Sequence, residues 1–552
     1  MRIGLIALLL CAASLLLPGC QPQPIDPAHK QFLELKTKAE KGDPQAQIKL
    51  ALCYDEGRGV KRDFSEAVKW ARKAADKNYG EAQFYLGISY EYGAGVALNL
   101  AEAVKWHHKA AAQNYAVAQQ YLGSLYHMGR LVKRDSAEAV KWYRRAAEQH
   151  HADSESSLGF CYEIGEGVEK DYLEAVKWYR KAAAQNNAAG QTHLGGCYAK
   201  GRGVEKDEIE AVRWYRKAAE QHHWPAQDAL GDCYANGSGV KKDETEAIGW
   251  YRKAAEQRSP FAELTLGLWY FSGRGGKQDY VEAVKWYRKA AEHGMTEAEY
   301  NLGVCYANGD GVVKDAAMAT SWFRKAAEAN HAAAQYNLAI MYFNGQAVGG
   351  DLTEAVKWCR KAADQNFALA QFFLGVCYAS GKGIARDYAE AVKWFRKAAA
   401  QNLADAQYNL GLCYDKGNGV EKDPKEAVRW WRKAAEQNHA AAQDTLGGCY
   451  GGGHGVEKNH EEAAKWFRKA AELNFAEAQS NLAFQYCYGL GVERDTVEAY
   501  AWFNLAAKTD GGAAKNRDTL EKKMTSQQVA AGQKRTQELR AQIESKRKSG
   551  GR

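Results

Sequence analysis

Residues 297–327 read EAEYNLGVCYANGDGVVKDAAMATSWFRKAA and predict a pair of helices. In the first half, Ala298, Leu302, Cys305 and Tyr306 follow one another at i, i+4, i+7 and i+8, the spacing of one apolar stripe on a helix. The second half carries Trp-Phe-x-x-Ala-Ala, a second apolar stripe at helical spacing. The glycines between the two halves predict a tight turn.

The same pattern recurs thirteen times over residues 44–508 at a strict interval of 36 residues. A leucine precedes each tryptophan by twenty residues, and a tyrosine follows each leucine by four. One helix pair cannot bury both of its apolar stripes, so neighbouring pairs must stack to form a core. The repeated tryptophans are Trp70, Trp106, Trp142, Trp178, Trp214, Trp250, Trp286, Trp322, Trp358, Trp394, Trp430, Trp466 and Trp502.

Glycine and aspartate positions predict how each helix pair is closed. Gly303 follows the leucine, where we expect the facing helix to approach closely. Gly309 and Gly311 end the first helix and give the turn its backbone freedom. In many repeats the second helix opens with Asp-x-x-Glu, as at Asp171 and Glu174, which is typical of a capping box.

The repeat resembles the Sel1-like repeat, a relative of the tetratricopeptide repeat. The shared pattern is Leu-Gly-x-x-Tyr, then Gly-x-Gly-Val, Asp and Glu-Ala-Val-Lys-Trp-Tyr-Arg-Lys-Ala-Ala. The resemblance implies an all-α, right-handed superhelical solenoid of helix–turn–helix units that binds proteins and has no enzymatic activity. Departures from the pattern are Ala51, Ala339 and Ala483 after the leucine, and Leu131 and Ala347 at the second loop glycine.

The regions outside the repeats predict caps and tails. Residues 28–43 align with a second helix alone and form an N-terminal cap. Residues 509–545 resemble the helical C-terminal cap of bacterial members of the family, although Gly532 inside it is a poor helix former. Residues 546–552 carry four cations, and we expect them to be disordered.

The N-terminus predicts export and lipidation. Residues 1–19 have one arginine before an apolar run and form a signal peptide. The run ends in Leu-Pro-Gly-Cys, which resembles a lipobox with Cys20 as the lipidated residue, and residues 20–27 form a proline-rich spacer. Gln21 is not the aspartate of inner-membrane retention, so we expect an outer-membrane lipoprotein facing the periplasm of a bacterium. The alternative is an ordinary secretory signal that releases the protein.

The charge distribution excludes a nucleic-acid-binding array. The formal charge is +8, but residues 509–552 hold eleven Lys/Arg and five Asp/Glu and contribute +6, while Arg2 contributes +1. The repeats are therefore close to neutral, whereas a protein that tracks phosphates needs a surplus of cations along its length. We expect no nucleic acid among its partners.

A candidate binding surface follows from the positions two residues before, two after and five after each repeat leucine. These positions lie about 140–200° from the leucine around the first helix. In repeats seven to eleven they are apolar and aromatic, and asparagines flank them, which indicates a surface for a peptide or protein partner. The resemblance to tetratricopeptide proteins implies that this face lines a concave groove. The alternative is that this stripe belongs to the core. The groove residues are Leu264, Leu268, Phe271, Tyr300, Asn301, Val304, Tyr336, Asn337, Ile340, Phe343, Phe372, Val376, Tyr408, Asn409 and Leu412; Asn481 flanks it as well.

Other signals are weaker. The basic outer face is an alternative site for glycan or lipid, although acidic neighbours offset its charge. An envelope hydrolase acting on β-lactams or peptidoglycan is a further alternative, but Ser238-Gly-Val-Lys241 is the one nucleophile-like motif and lies in a loop. A passive spacer is the last alternative.

Cysteine and histidine positions do not predict a metal or cofactor site. Eight cysteines share one repeat position and are too far apart for disulfides between repeats, so we expect buried thiols. Three histidine pairs lie near the ends of second helices, without metal-ligand spacing. We expect no metal and no cofactor. The cysteines are Cys53, Cys161, Cys197, Cys233, Cys305, Cys377, Cys413 and Cys449, and the pairs are His107-His108, His150-His151 and His222-His223.

Overall fold

The computed structural model describes residues 26–346 and 349–550, and every regular element in this part of the chain is an α-helix. The predicted all-α repeat architecture is confirmed, because consecutive helices pack in pairs within each of the two units described below. The signal peptide, Cys20, most of the spacer, Ala347 and the last two residues lie outside the described residues.

The chain divides into two compact units, the first with residues 26–266 and 274–276, the second with residues 267–273 and the described residues from 277 on. The helices of the first unit are α1 (Pro27–Glu40), α2 (Pro44–Glu56), α3 (Phe64–Ala75), α4 (Gly80–Tyr92), α5 (Leu100–Ala112), α6 (Ala116–Met128), α7 (Ser136–Ala147), α8 (Ala152–Ile164), α9 (Tyr172–Ala184), α10 (Ala188–Lys200), α11 (Glu208–Glu220), α12 (Trp224–Asn236) and α13 (Glu244–Glu256). The division between the units falls within α14 (Pro260–Ser272).

The second unit continues the same alternation of first and second helices. Its helices are α15 (Tyr280–Glu292), α16 (Thr296–Asn308), α17 (Ala316–Glu328), α18 (Ala332–Asn344), α19 (Leu352–Asp364), α20 (Ala368–Ser380), α21 (Tyr388–Ala400), α22 (Ala404–Lys416), α23 (Pro424–Glu436), α24 (Ala440–Gly452), α25 (His460–Glu472), α26 (Ala476–Tyr488), α27 (Thr496–Ala506), α28 (Gly511–Glu521) and α29 (Ser526–Gly550).

Local sequence explains where these helices start and stop. Asp171 caps α9, and its carboxylate accepts from the amide of Glu174 at 3.1 Å. Gly309 ends α16 in the left-handed conformation, at φ +91°. A left-handed residue also follows most second helices, and asparagine is the usual choice there, as at Asn330 with φ +67°.

The repeat leucine and the glycine after it form the tightest part of each pair. Leu302 is fully buried. A Cβ added to Gly303 would lie 2.5 Å from Cδ1 of Phe323, the residue after the repeat tryptophan. The predicted close approach at this glycine is therefore confirmed, and the second helix packs its ring directly against the first helix.

The second loop glycine joins one repeat to the preceding one. Gly311 has φ +70°, and a Cβ there would lie 2.2 Å from the carbonyl oxygen of Tyr280, at the start of the preceding second helix. Gly59 makes the same contact with Ala28 of α1. Helix α1 therefore occupies the position of a second helix and covers the first repeat with Phe32 and Ala39, both buried.

The C-terminal helices cover the last repeat. Leu539 and Ile543 of α29 are buried in the core that contains Trp502. A Cβ added to Gly532 would lie 2.6 Å from Tyr500 Cδ1, so this glycine permits close helix packing. The prediction of a disordered tail from residue 546 is wrong for residues 546–550, which continue α29. Lys546 contacts Glu472 at 2.7 Å, and cations near a helix C-terminus are favourable.

A ladder of glutamines links successive repeats and was not predicted. Gln371 is buried on the first helix α20, where its amide donates to the carbonyl of Ala363 at 3.2 Å. Its oxygen accepts from Gln401 Nε2 at 2.8 Å. The same pair recurs thirty residues apart in other repeats, so the oxygen of each buried first-helix glutamine accepts from a more exposed glutamine at the end of its own repeat. Further pairs are Gln119–Gln149, Gln191–Gln221, Gln227–Gln257, Gln335–Gln365 and Gln407–Gln437.

Candidate functional site

The predicted groove residues lie on the first helices, and most of them are only partly accessible to solvent. Leu268 is exposed, with 41% of its surface accessible, and the other fourteen are half-buried. Leu264 belongs to the first unit and the rest to the second. We call the half-buried apolar residues of α16, α18, α20 and α22 the aromatic stripe. Its members are Tyr300, Val304, Tyr336, Ile340, Phe343, Phe372, Val376, Tyr408 and Leu412.

Two tyrosines of the stripe stack on histidines that start the following repeat. The rings of Tyr300 and His331 are 4.7 Å apart, and His331 Nε2 lies 3.0 Å from Glu297 Oε2. The rings of Tyr408 and His439 are 4.8 Å apart. The Nδ1 atom of each histidine also accepts a hydrogen bond from a backbone amide in the first turn of the helix that the histidine caps. Neighbouring repeats therefore fix one side of each ring and leave part of it accessible.

The centre of the stripe packs on other aromatic residues. The Tyr336 ring lies 5.6 Å from that of Phe367, and the Phe372 ring lies 5.9 Å from that of Phe395. Phe343 contacts Phe373, with ring centroids 5.0 Å apart. The stripe thus forms the outer layer of the core and an accessible surface at once, which combines the two interpretations that the sequence left open.

The flanking asparagines are partly engaged within the protein. Asn409 Nδ2 donates to the carbonyl of Asp405 at 2.8 Å, and Asn481 Nδ2 donates to Asp444 at 2.8 Å. Asn337 bonds to the Tyr300 hydroxyl, whose pKa burial raises above its usual value. A ligand main chain would therefore compete with these bonds, whereas the buried Nδ2 of Asn301 has no partner in the described residues.

The cations of the outer face are occupied by intramolecular partners. Lys285 pairs with Glu282 at 2.8 Å, Lys289 lies over the Trp286 ring at 4.1 Å, and the Arg288 guanidinium donates to the hydroxyl of Tyr306 at 2.8 Å. The Lys–Glu pairs are surface pairs and add little stability, but they neutralise the face. These contacts recur in most repeats and leave little uncompensated charge for an anionic ligand.

Two acidic side chains replace the apolar stripe on α12 of the first unit. Asp228 is buried, its carboxylate accepts from Ser259 Oγ at 2.7 Å, and burial raises its pKa to about 6. Burial also raises the pKa of Asp232, whose carboxylate accepts from the Tyr251 hydroxyl at 2.6 Å. No Lys or Arg side chain bonds to either carboxylate in the described contacts, so both acids disfavour an anionic partner here.

One histidine lies elsewhere than expected. His107 is fully buried in the middle of α5, not near its end, and occupies the position that Tyr143 has in the next repeat. Its Nε2 lies 3.4 Å from Glu91 Oε2, which also accepts from the Tyr121 hydroxyl at 2.7 Å. Burial lowers the pKa of His107, so the ring serves as a neutral packing residue.

The Ser-x-x-Lys motif and the metal-ligating residue types form no site of their own in the described residues. Ser238 lies in the loop after α12, and no hydrogen bond of its hydroxyl to a basic side chain is formed there. Across residues 26–346 and 349–550 no three His, Cys, Asp or Glu side chains converge on a possible metal position. The eight repeat cysteines are buried, as predicted, and burial raises the thiol pKa, for example to about 12 at Cys305. Every helix in the described residues is too short or too polar to cross a membrane.

Comparisons with known proteins agree with this architecture. The Sel1 repeat profile matches residues 44–79, 80–115, 116–151, 152–187, 188–223, 224–259, 260–295, 296–331, 332–367, 368–403, 404–439, 440–475 and 476–508. No curated protein matches the chain significantly. The crystal structure of a protective antigen of uropathogenic Escherichia coli strains, which displays an SLR fold, is similar at 37% identity and a TM-score of 0.71, over 81% of this chain and 95% of that one. A Sel1 repeat protein from Oxalobacter formigenes is similar at 30% identity and a TM-score of 0.46, over 60% of this chain and 99% of that one.

Proteins built from these repeats generally mediate protein–protein interactions and are typically non-catalytic. The matched segments cover most of the chain, and the 37% identical structure is matched over nearly its whole length. The chain therefore belongs to the Sel1 repeat family.

Proposed function

We propose that this protein is a non-enzymatic scaffold that binds a peptide or protein partner on the aromatic stripe. The observation that carries the proposal is that nine large apolar side chains on four consecutive first helices stay partly exposed, while the repeat leucine of each of these helices is fully buried. Apolar and aromatic side chains held in fixed positions give binding surfaces most of their energy. Packing on Phe367 and Phe395 holds the stripe in place before a ligand arrives.

We further propose that a lipid on Cys20 holds the scaffold at the outer membrane, facing the periplasm of a bacterium. The lipobox-like residues before Cys20 and the glutamine after it support this location. Replacement of Cys20 by Ser should abolish labelling with radioactive palmitate and release the protein from the membrane fraction. Unchanged labelling and fractionation in Cys20→Ser would contradict the anchor but leave the stripe untouched.

The alternative functions have less support. The cations of the outer face contact Glu, Trp and Tyr side chains of the same chain, which weakens the case for a glycan or lipid site there. A hydrolase needs a base next to its nucleophile, and Ser238 has none in the described residues. Turnover of nitrocefin or muropeptides that is lost in Ser238→Ala would revive the enzyme.

Affinity capture tests the scaffold. The full chain is compared with a variant that carries Tyr300→Ala, Tyr336→Ala, Phe372→Ala and Tyr408→Ala, using detergent-solubilised envelope. We expect a protein that the first retains and the second loses. Because these rings also pack on the core, a control variant with Trp322→Ala and Trp358→Ala, half-buried aromatics of the second helices, accounts for lost stability. Equal retention by all three proteins would contradict the proposal.

A further inference from the structure

Repeats three to five depart from the others at positions that face one another. Ser156 stands two residues before its repeat leucine, where five other repeats carry Phe or Tyr. His127 and His193 likewise occupy positions where no other repeat has histidine. Ser156, like Ser480 in repeat thirteen, leaves the volume of a ring unfilled, and here the two histidines on the neighbouring first helices add polar groups at the same place.

These departures create a cavity of about 290 Å³ in the first unit. Besides Ser156, His127 and His193, it is lined by Phe160, Tyr143, Ser157, Cys161 and Ala189. Drug-sized ligands occupy pockets of about 300–1,000 Å³, so this cavity suits a single ring rather than a larger molecule.

The polar groups of the cavity are incompletely satisfied. Ser156 is 5% exposed, whereas the neighbouring Ser157 hydroxyl donates to the carbonyl of Asp153 at 2.8 Å. His127 Nδ1 is buried without a hydrogen bond and lies 3.8 Å from Glu166 Oε1. Buried polar groups in native proteins are nearly always bonded to protein, water or ligand. The unpartnered Nδ1 of His127 at the cavity wall therefore points to a bound polar molecule.

The charges around the cavity favour a neutral ligand. No Lys, Arg, Asp or Glu side chain lines it. Glu166 behind His127 is paired with Arg134 at 2.6 Å, and Glu163 lies 3.4 Å from Arg202. The two carboxylates are thus compensated and attract neither a cation nor an anion strongly.

The histidine side chains supply further hydrogen-bonding groups to the cavity. His193 Nδ1 lies 3.8 Å from Glu163 Oε2, and its ring stacks on Tyr179 with centroids 4.9 Å apart. Burial lowers the pKa of His193, so the ring is neutral at pH 7 and offers one donor and one acceptor. Hydroxyl groups, which both donate and accept, match imidazole and serine, and the Phe160 and Tyr143 rings supply an apolar wall.

We infer that this cavity binds a neutral, hydroxyl-bearing ring of the size of one pyranose unit, either a free sugar or the end of a glycan. The inference rests on the first unit alone and does not depend on the aromatic stripe. The cavity would give the scaffold a second ligand of a different chemical class.

Ligand-observed NMR and calorimetry with the full chain test this site. The probes are glucose and N-acetylglucosamine as free sugars, their methyl glycosides as glycan ends, and glucosamine, glucuronic acid and inorganic phosphate as charged comparisons. We expect the neutral probes to bind and the charged ones to bind at least about tenfold more weakly. Tighter binding of glycosides assigns a glycan end, and tighter binding of free sugars assigns a free sugar.

A cavity-filling variant makes the test specific. Ser156→Phe introduces the residue that repeat two carries at this position, Phe84, so the fold should tolerate it. It should weaken binding of the neutral probes by about tenfold or more. Gln120→Phe is the matched control, since it places the same ring at the same position of repeat three, outside the cavity wall. Absence of binding, preference for a charged probe, or equal effects of the two variants would overturn the inference.

Discussion

The contact between Gly303 and Phe323 allows a quantitative test of how a repeat packs. An added Cβ at Gly303 lies 2.5 Å from Phe323 Cδ1, a separation that requires the ring or the helix to move. Overpacking of this kind costs typically about 1–3 kcal/mol. Alanine is favoured over glycine inside a helix by about 1 kcal/mol. We therefore expect Gly303→Ala to destabilise repeat eight by about 1 kcal/mol net.

Repeat nine contains the compensated version of this pair. Ala339 stands at the glycine position, and Cys359 stands in place of the ring; both are fully buried. Phe323→Cys alone should cost about 3 kcal/mol, because it leaves a cavity. In the Phe323→Cys protein, the methyl group of an alanine at position 303 has no ring to collide with. Gly303→Ala should therefore stabilise repeat eight by about 1 kcal/mol in that protein. The coupling energy between the two substitutions is then about 2 kcal/mol.

Native-state hydrogen exchange, read by mass spectrometry on peptides from α16 and α17, measures the cycle. The free energy of local opening is compared between the variants, because long repeat arrays do not unfold in a single step. Gly448→Ala, read on peptides from α24, is the control: no atom lies within 4 Å of its added Cβ, so it should stabilise α24 by about 1 kcal/mol. A coupling energy near zero, with Gly303→Ala as stabilising as the control, would refute the packing described here.

Three further perturbations test other contacts. Gly311→Ala places a side chain at φ +70° and a Cβ 2.2 Å from Tyr280 O, so hydrogen exchange in α15 and α16 should show a loss of about 2 kcal/mol or more; no loss would contradict the inter-repeat role of this loop. Gln371→Leu removes one hydrogen bond each from Ala363 O and Gln401 Nε2, which both keep a bond to Asn366, and should cost about 1 kcal/mol in α20 and α21, whereas an unchanged exchange rate would make the ladder dispensable. The pKa of Asp228 is raised from 3.8 to about 6, so the folded state holds this proton more tightly than the unfolded state. Repeat six should therefore lose stability as pH rises between these two values, and Asp228→Asn should flatten that dependence; equal slopes for both proteins would contradict the burial of an unpaired carboxyl.

The helix pairs were predictable because their signals are local and repeated. The stripes around Leu302 and Trp322, the aspartate caps and the turn glycines each follow from spacing along one stretch of chain. Close helix packing at Gly303 was predictable, because a glycine inside a helix and next to a buried leucine usually lies where another helix approaches closely. Because the pattern occurs thirteen times, none of these predictions depends on the residue found in one repeat.

Features that depend on the geometry between repeats were not predictable in the same way. The role of Gly311 against Tyr280 depends on where the preceding second helix starts. The glutamine ladder had a sequence signal, since Gln371 lies within an apolar stripe at a position that is glutamine in most repeats, but its partner thirty residues later follows only from the stacking. The tail was misjudged because charge alone predicted disorder, whereas contacts such as Lys546 with Glu472 extend the helix.

The solvent accessibility of the aromatic stripe does not follow from the sequence pattern alone. A helical projection separates buried from unburied positions, but half-burial depends on the side chains of the next repeat, such as His331 against Tyr300. The sequence left groove and core as alternatives, and the described contacts give these rings a part in both. Truncation of Tyr336 or Phe372 should therefore lower stability modestly, and melting temperature alone does not decide whether they bind a partner.

Site-specific photo-crosslinking in living cells tests the binding surface most directly. p-Benzoylphenylalanine is placed at Tyr336 and Phe372 of the stripe and, as a control, at exposed Ser321 on the second helix α17. p-Benzoylphenylalanine adds a benzoyl group to the ring, so circular dichroism of each purified variant verifies that its helix content and melting temperature are retained. We expect one defined adduct from Tyr336 and Phe372 and none from Ser321. Adducts from Ser321 alone, or no adduct from either stripe position, would contradict the account.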